Sequence, residues 1–153
     1  MENLPLEKDS LDLIWCEGAI DNIGFEKGLV HWHDFLKKGG YIAVTNPSWF
    51  TNERPEEVAR FWAEAGSHIE TVQKNIEIMQ DAGYEFVAAF ALPEECWTEN
   101  YFVPRAKAIS ALEEKYAGNE VMQAYAAVNR KEVELFSANH QQYGYVFYIG
   151  RSK

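Results

Sequence analysis

The sequence predicts an α/β layered domain. Three observations carry that reading: short apolar runs suited to strands, amphipathic stretches at helical spacing between them, and glycine or proline at the joints. Leu11–Cys16 (LDLIWC) is the first apolar run, flanked by Lys8, Asp9 and Ser10 before and by Glu17 and Gly18 after. A strand covered on both faces, as parallel sheets require, has this pattern. Phe25, Leu29, Trp32 and Leu36 then recur at helical spacing, and Lys37-Lys38-Gly39-Gly40 offers cations for the last turn and a glycine stop. Residues 41–45 (YIAVT) form a second strand, so residues 11–45 predict a right-handed strand–helix–strand unit with parallel strands.

Residues 46–54 contain Pro47 and polar side chains and read as loop. Pro55, Glu56 and Glu57 open a helix whose apolar face is Val58, Phe61, Trp62 and Ala65. Ser67 and Glu70 have capping-box spacing ahead of the stripe Ile69, Val72, Ile76 and Met79, which Gly83 closes. A less buried strand follows over residues 84–92. Residues 92–105 read as irregular, yet hold Trp97, Tyr101 and Phe102. Pro104 starts a helix that Gly118 closes, and Asn119 and Glu120 cap another, running to about Phe136 with Val121, Tyr125, Val128 and Phe136 as its apolar stripe. The last run, residues 145–149 (YVFYI), is apolar on both faces and predicts a central strand.

At 153 residues and 47% hydrophobic content the chain suits one domain with a full core. A net charge of -10 and scattered lysines and arginines argue against nucleic acid and against anionic membranes as partners. Cys16 and Cys96 lie far apart, each near a Trp, and read as reduced buried thiols suited to the cytoplasm. No apolar run approaches the ~18 residues of a membrane span. His31 and His33, two apart on a helix, point about 200° from one another and cannot share an ion, so no metal site is expected.

Residues 2–50 resemble the middle and later part of class I S-adenosylmethionine-dependent methyltransferases, especially the ubiquinone/menaquinone-biosynthesis-like group. The segment Glu2-Asn3-Leu4-Pro5-Leu6, the strand, the helix, Leu36-Lys37-Lys38-Gly39-Gly40 and the next strand carry the likeness. The resemblance implies a partial Rossmann-like methyltransferase sheet with flanking helices: strands equivalent to the family's fourth, fifth and sixth are parallel, and the last strand is its antiparallel seventh, slotted between fifth and sixth. The family's GxGxG loop and the acidic residue ending its second strand are absent from this sequence. Residues 1–153 are therefore read as a single domain, the C-terminal half of the fold, with residues 93–140 as a substrate-side loop and helical elaboration. S-adenosylmethionine is the implied cofactor, with weak or no binding expected for this chain.

By residue, the resemblance implies that Met1 and Glu2 sit against the adenine and that Glu17, Gly18, Ala19 and Ile20 line the methionine and adenine side. Glu17 also reads as a solvated or helix-capping carboxylate, and Gly18 as a tight turn. Trp49, Phe50, Trp97, Tyr101 and Phe102 fall in segments that leave strand carboxyl ends, the edge where ligands bind in open α/β sheets. Trp49, Trp97 and Tyr101 could wall an apolar or planar substrate, or plug the top of the core; Arg105 could meet an anionic group. No catalytic residue is assigned, since methyl transfer needs alignment rather than a nucleophile; Glu17, Asp21 and His31 are candidate bases where the acceptor must first lose a proton.

The expected function is methyl transfer to a small-molecule acceptor, with a non-catalytic assembly domain as the alternative. In the whole fold the fourth strand lies beside the first. Without that neighbour Leu11–Cys16 becomes an unprotected edge, and a homodimer through it or through the helix over residues 25–36 is expected.

Overall fold

The computed structural model describes residues 4–153, so Met1 and Glu2 lie outside the described residues. Strands β1 (Leu11–Cys16), β2 (Leu36–Trp49), β3 (Glu70–Thr71), β4 (Tyr84–Ala91) and β5 (Tyr143–Ser152) alternate with helices α1 (Phe25–His33), α2 (Glu56–Glu64), α3 (Val72–Asp81), α4 (Glu95–Trp97), α5 (Val103–Lys115) and α6 (Glu120–Asn139). The sheet order is β1-β2-β5-β4, with the two-residue β3 on the β1 side of β2. β1 runs parallel to β2, and β5 runs antiparallel to both β2 and β4. This is the expected partial Rossmann-like sheet, with an antiparallel last strand between two mutually parallel ones.

Helix α1 ends earlier and β2 runs longer than the sequence predicts. Asp34 and Phe35 make the turn, so Leu36 and the Lys37-Lys38-Gly39-Gly40 segment already belong to β2; Lys37 reaches across to Asp12 of β1 at 2.9 Å. At its other end β2 passes straight through Pro47. The Phe50 N–H donates to Gln142 on the β5 side, and strand alternation turns the Pro47 nitrogen to the opposite side, where β1 has already stopped at the Cys16–Val44 pair. A proline costs no ladder bond there.

Three other segments differ from expectation. Thr71, rather than Ser67, caps α3, accepting a hydrogen bond from the Lys74 N–H at 3.1 Å, while Glu70 lies in β3. Residues 95–102 are helical, a short α4 continuing into a π-turn (Thr98–Phe102) that leads directly into α5. On α6 the capping Asn119 is as predicted, accepting from the Met122 N–H, but Val121, Tyr125 and Val128 are exposed. The buried face is Ala126, Asn129, Leu135 and Phe136.

The core has two parts. Ile42, Val44, Val146 and Tyr148 of the sheet pack against Ile20, Phe25, Leu29 and Trp32 around α1 and against Met79 of α3. Within it Ser48, Tyr148 and Asn75 form a buried polar triad: the two hydroxyls lie 2.6 Å apart, and the Asn75 amide donates to both. The second part, beyond the carboxyl end of β2, gathers Trp49, Val58, Trp62, Trp97, Phe102, Phe136 and Tyr143.

Helices α1 and α3 cover only one sheet face. On the other, Trp15 and Phe90 flank Phe147 at ring-centroid distances of 5.1 and 5.6 Å, and Leu13, Trp15 and Phe90 are 51%, 61% and 50% exposed. The expectation that both faces of β1 are covered therefore fails for this face.

Gly28 shows how closely α1 docks. An added Cβ would lie 2.6 Å from Ile20 Cγ1, and Ile20 is fully buried. Gly28→Ala, which favours an isolated helix by about 1 kcal/mol, is expected to destabilise this domain by about 1–3 kcal/mol through overpacking. Urea unfolding at matched denaturant dependence checks the sign.

Candidate functional site

β1 ends in Glu17 and Gly18, and Gly18 adopts φ +57°, a left-handed turn that glycine makes without strain. The Gly18 N–H donates to Thr45 Oγ1 of β2 at 2.7 Å, tying the turn to the neighbouring strand. The Glu17 carboxylate accepts from the Trp15 indole N–H. Because β5 is antiparallel, its first residues return to this same edge, and Leu92, just past β4, donates to the Tyr145 carbonyl. The π-turn closes the side.

Between these elements lies a cleft of about 450 Å3. Glu17, Gly18, Thr45, Trp97, Tyr101 and Tyr145 line it, with Leu92, Cys96 and Asn100 completing the rim. Trp97 is 5% exposed and stands edge-on to Tyr145, with ring centroids 4.9 Å apart. Burial pushes the Tyr145 phenol above its ordinary value, and the nearby Asp21 charge adds to the shift. Asp21, in the 3-10 turn Ile20–Asn22, has its Oδ1 buried without a hydrogen-bond partner among the described residues, and burial raises its carboxyl above the usual range. Cys96 borders the cleft as a half-buried free thiol. Cys16 is likewise free and half-buried, its thiol raised by burial.

Of the residues singled out from the sequence, Glu17, Gly18, Trp97 and Tyr101 meet in this cleft. Ala19 is half-buried behind them and Ile20 is a core residue, fully buried. Trp49 is also core, bordering a separate hollow with Arg54, Trp62 and His68. Phe102 belongs to the same core, and Phe50 borders another hollow beside Pro93. Arg105 turns away from the cleft: its Nη1 lies 2.8 Å from Glu132 Oε2 and 2.8 Å from the Tyr101 hydroxyl, and its Cζ sits 4.3 Å from the Tyr101 ring centroid. It holds Tyr101 from behind.

Thr45, Asn100 and Tyr145 carry no functional reading in the sequence, and Cys96 only that of a reduced buried thiol. Tyr145 was within reach: once the last strand is antiparallel, its N-terminal residue must fall at the carboxyl edge of β2.

No family model matches the chain, and no curated protein sequence matches it significantly. Solved structures do. An S-adenosylmethionine-dependent methyltransferase from Geobacter sulfurreducens, in complex with S-adenosylhomocysteine, superposes with a TM-score of 0.75 at 18% identity, covering 97% of this chain and 60% of that one. A candidate sarcosine dimethylglycine methyltransferase from Galdieria sulphuraria gives 0.74 at 14% identity, over 98% and 56%. The [4+2]-cyclase SpnF gives 0.70 at 17%, over 99% and 53%. The chain thus spans between about half and three-fifths of the length of these structures. The fold class is that of the methyltransferase-like Rossmann-type proteins.

Proposed function

We propose that this chain is the substrate-side half of an S-adenosylmethionine-dependent methyltransferase acting on a small-molecule acceptor. One observation carries the reading: the apolar sheet face of Leu13, Trp15 and Phe90 is half-exposed, and β1, at the edge of the sheet, runs into Glu17 and Gly18, which line the cleft. A contiguous exposed apolar face of this kind marks a contact surface, and the parallel β1–β2 pair within it belongs to the kind of sheet that is covered on both sides. Further strands and helices covering this edge and face would complete the cleft.

Two sides of the cleft then take different roles. Glu17, Gly18 and Ala19 lie on the cofactor side and Trp97 and Tyr101 on the acceptor side; Trp49 and Arg105, placed elsewhere, take no part. The sequence has no GxGxG segment that would let a backbone approach the cofactor closely. S-adenosylmethionine would supply an electrophilic methyl group, and the chain's own contribution is to hold the acceptor in line and to exclude water with its aromatic walls.

Calorimetric titration of S-adenosylmethionine into this chain is expected to give a dissociation constant no tighter than about 1 mM, roughly 4 kcal/mol. Micromolar binding would contradict the half-site reading and make the chain a self-sufficient binder. The open β1 edge also makes self-association the expected state. Light scattering should return twice the chain mass of 17.6 kDa, and a stable monomer would count against pairing through β1.

A further inference from the structure

The polar lining of the cleft is unbalanced in charge. Glu17 brings a carboxylate to its rim, and Asp21 stands close enough to oppose ionisation of the Tyr145 hydroxyl. No lysine or arginine lines it among the described residues. The nearest cation from the aromatic segment, Arg105, is committed to Glu132 and to the Tyr101 hydroxyl, and borders a different hollow between α5 and α6. Nor does the turn after β1 offer an anion its N–H, because Gly18 donates to Thr45 Oγ1. The walls are the aromatic residues Trp97, Tyr101 and Tyr145. An anionic ligand would find only neutral donors here, the Asn100 amide and the Thr45, Tyr101 and Tyr145 hydroxyls, and no positive charge. A cation would find the Glu17 carboxylate, one oxygen of which accepts from the Trp15 indole, beside the aromatic side chains of Trp97, Tyr101 and Tyr145, the kinds of group that hold ammonium ions in proteins.

We propose that the cleft binds an organic cation, the ammonium group of a small amine acceptor. This assignment of acceptor class rests on reading the cleft as the acceptor side of a methyl-transfer site. The same cation chemistry could come from the sulfonium of the cofactor, so the test separates the two. Glu17, which shares the cleft with the acceptor-side rings and stands where the cofactor and acceptor sides meet, supplies the charge, and Trp97 and Tyr145 supply the fixed aromatic walls. Tyr101, already carrying Arg105 over one ring face, acts mainly as a wall held in place from behind.

The test follows the tryptophan fluorescence of the chain during titration with choline, with 3,3-dimethylbutan-1-ol, which has the same shape without the charge, and with acetate. Choline is expected to bind about tenfold more tightly than the neutral alcohol, with acetate weakest. Glu17→Gln should narrow the preference to about threefold or less; Glu17 is exposed, and an unchanged thermal midpoint shows that the variant folds. Equal binding of choline and the neutral alcohol, or a preference for acetate, would overturn the proposal. Because the preference is read on the unsubstituted chain, it stands or falls even if Glu17→Gln fails to fold. In a competition arm, S-adenosylmethionine displacing choline where S-adenosylhomocysteine, which lacks the sulfonium charge, does not would show that the cation held is the sulfonium, overturning the amine assignment. Choline remaining bound alongside either supports it. None of these readouts requires methyl transfer, so a failure of the methyltransferase reading leaves the cation preference to be judged separately.

Discussion

Trp97→Ala is expected to destabilise the domain by about 3–5 kcal/mol, the cost of truncating a large buried aromatic side chain. Trp97 joins the second core to the cleft: its ring lies 4.2 Å from Phe136, 5.7 Å from Tyr143, 5.8 Å from Phe102 and 4.9 Å from Tyr145. Alanine would remove the partner of these four rings and of Trp62 in α2, 6.2 Å away, so one cavity would loosen the π-turn, α2, α6 and β5. The indole N–H is buried and makes no hydrogen bond among the described residues, so polarity contributes nothing to retaining tryptophan. Trp97→Phe, which loses volume alone, should therefore cost only about 1–2 kcal/mol. Chemical unfolding of the two variants checks the pair. A phenylalanine variant as unstable as the alanine one would mean that the nitrogen matters and that the packing account is wrong.

Glu132→Ala is expected to cost about 2–4 kcal/mol, more than an exposed ion pair would. The Arg105 and Glu132 side chains are only 14% and 15% exposed, and Arg105 Nη2 is already buried without a partner. Removing the carboxylate leaves a half-desolvated guanidinium with only the Tyr101 hydroxyl to meet it, and loosens the link between α5, α6 and the cleft wall. Replacing both residues, Arg105→Met with Glu132→Leu, should recover most of the loss, because no charge is then left unpaired. A double variant as unstable as Glu132→Ala would place the cost in packing instead.

Much of the fold was legible where pattern and punctuation agree. LDLIWC, the Pro55-Glu56-Glu57 start, the Asn119 cap and YVFYI all lie in the elements they predict. Local chemistry misled where tertiary context supplied what the segment lacked. Pro47 reads as loop because a ladder normally needs its N–H, but here it falls between the end of β1's pairing at Val44 and the start of β3's at Ser48. The 95–102 segment lacks a helical apolar repeat because its rings pack in several directions at once, against Trp62, Phe136 and Tyr145. On α6 the periodic stripe of Val121, Tyr125 and Val128 marks a face that the chain itself leaves open.

The cleft was half legible. Glu17 and Gly18 followed from the rule that ligands gather beyond strand carboxyl ends, and Trp97 and Tyr101 from an aromatic excess in a connecting segment. Trp49 and Arg105 could not be separated from them in advance, since reaching the right edge of the sheet does not fix which way a side chain turns. The double-sided apolar pattern of β1 predicted cover on both faces, and one face is bare. That mismatch between pattern and packing is what the proposed half-fold reading rests on. It does not fix the reaction, since a [4+2]-cyclase shares the fold.

Amide chemical-shift mapping of the isotope-labelled chain with S-adenosylhomocysteine tests the central claim most directly. The account predicts weak binding, in the millimolar range (about 4 kcal/mol), with the largest shifts at Glu17, Gly18 and Ala19 and smaller ones at Trp97 and Tyr101. Micromolar binding, or shifts confined to residues away from the cleft, would contradict it.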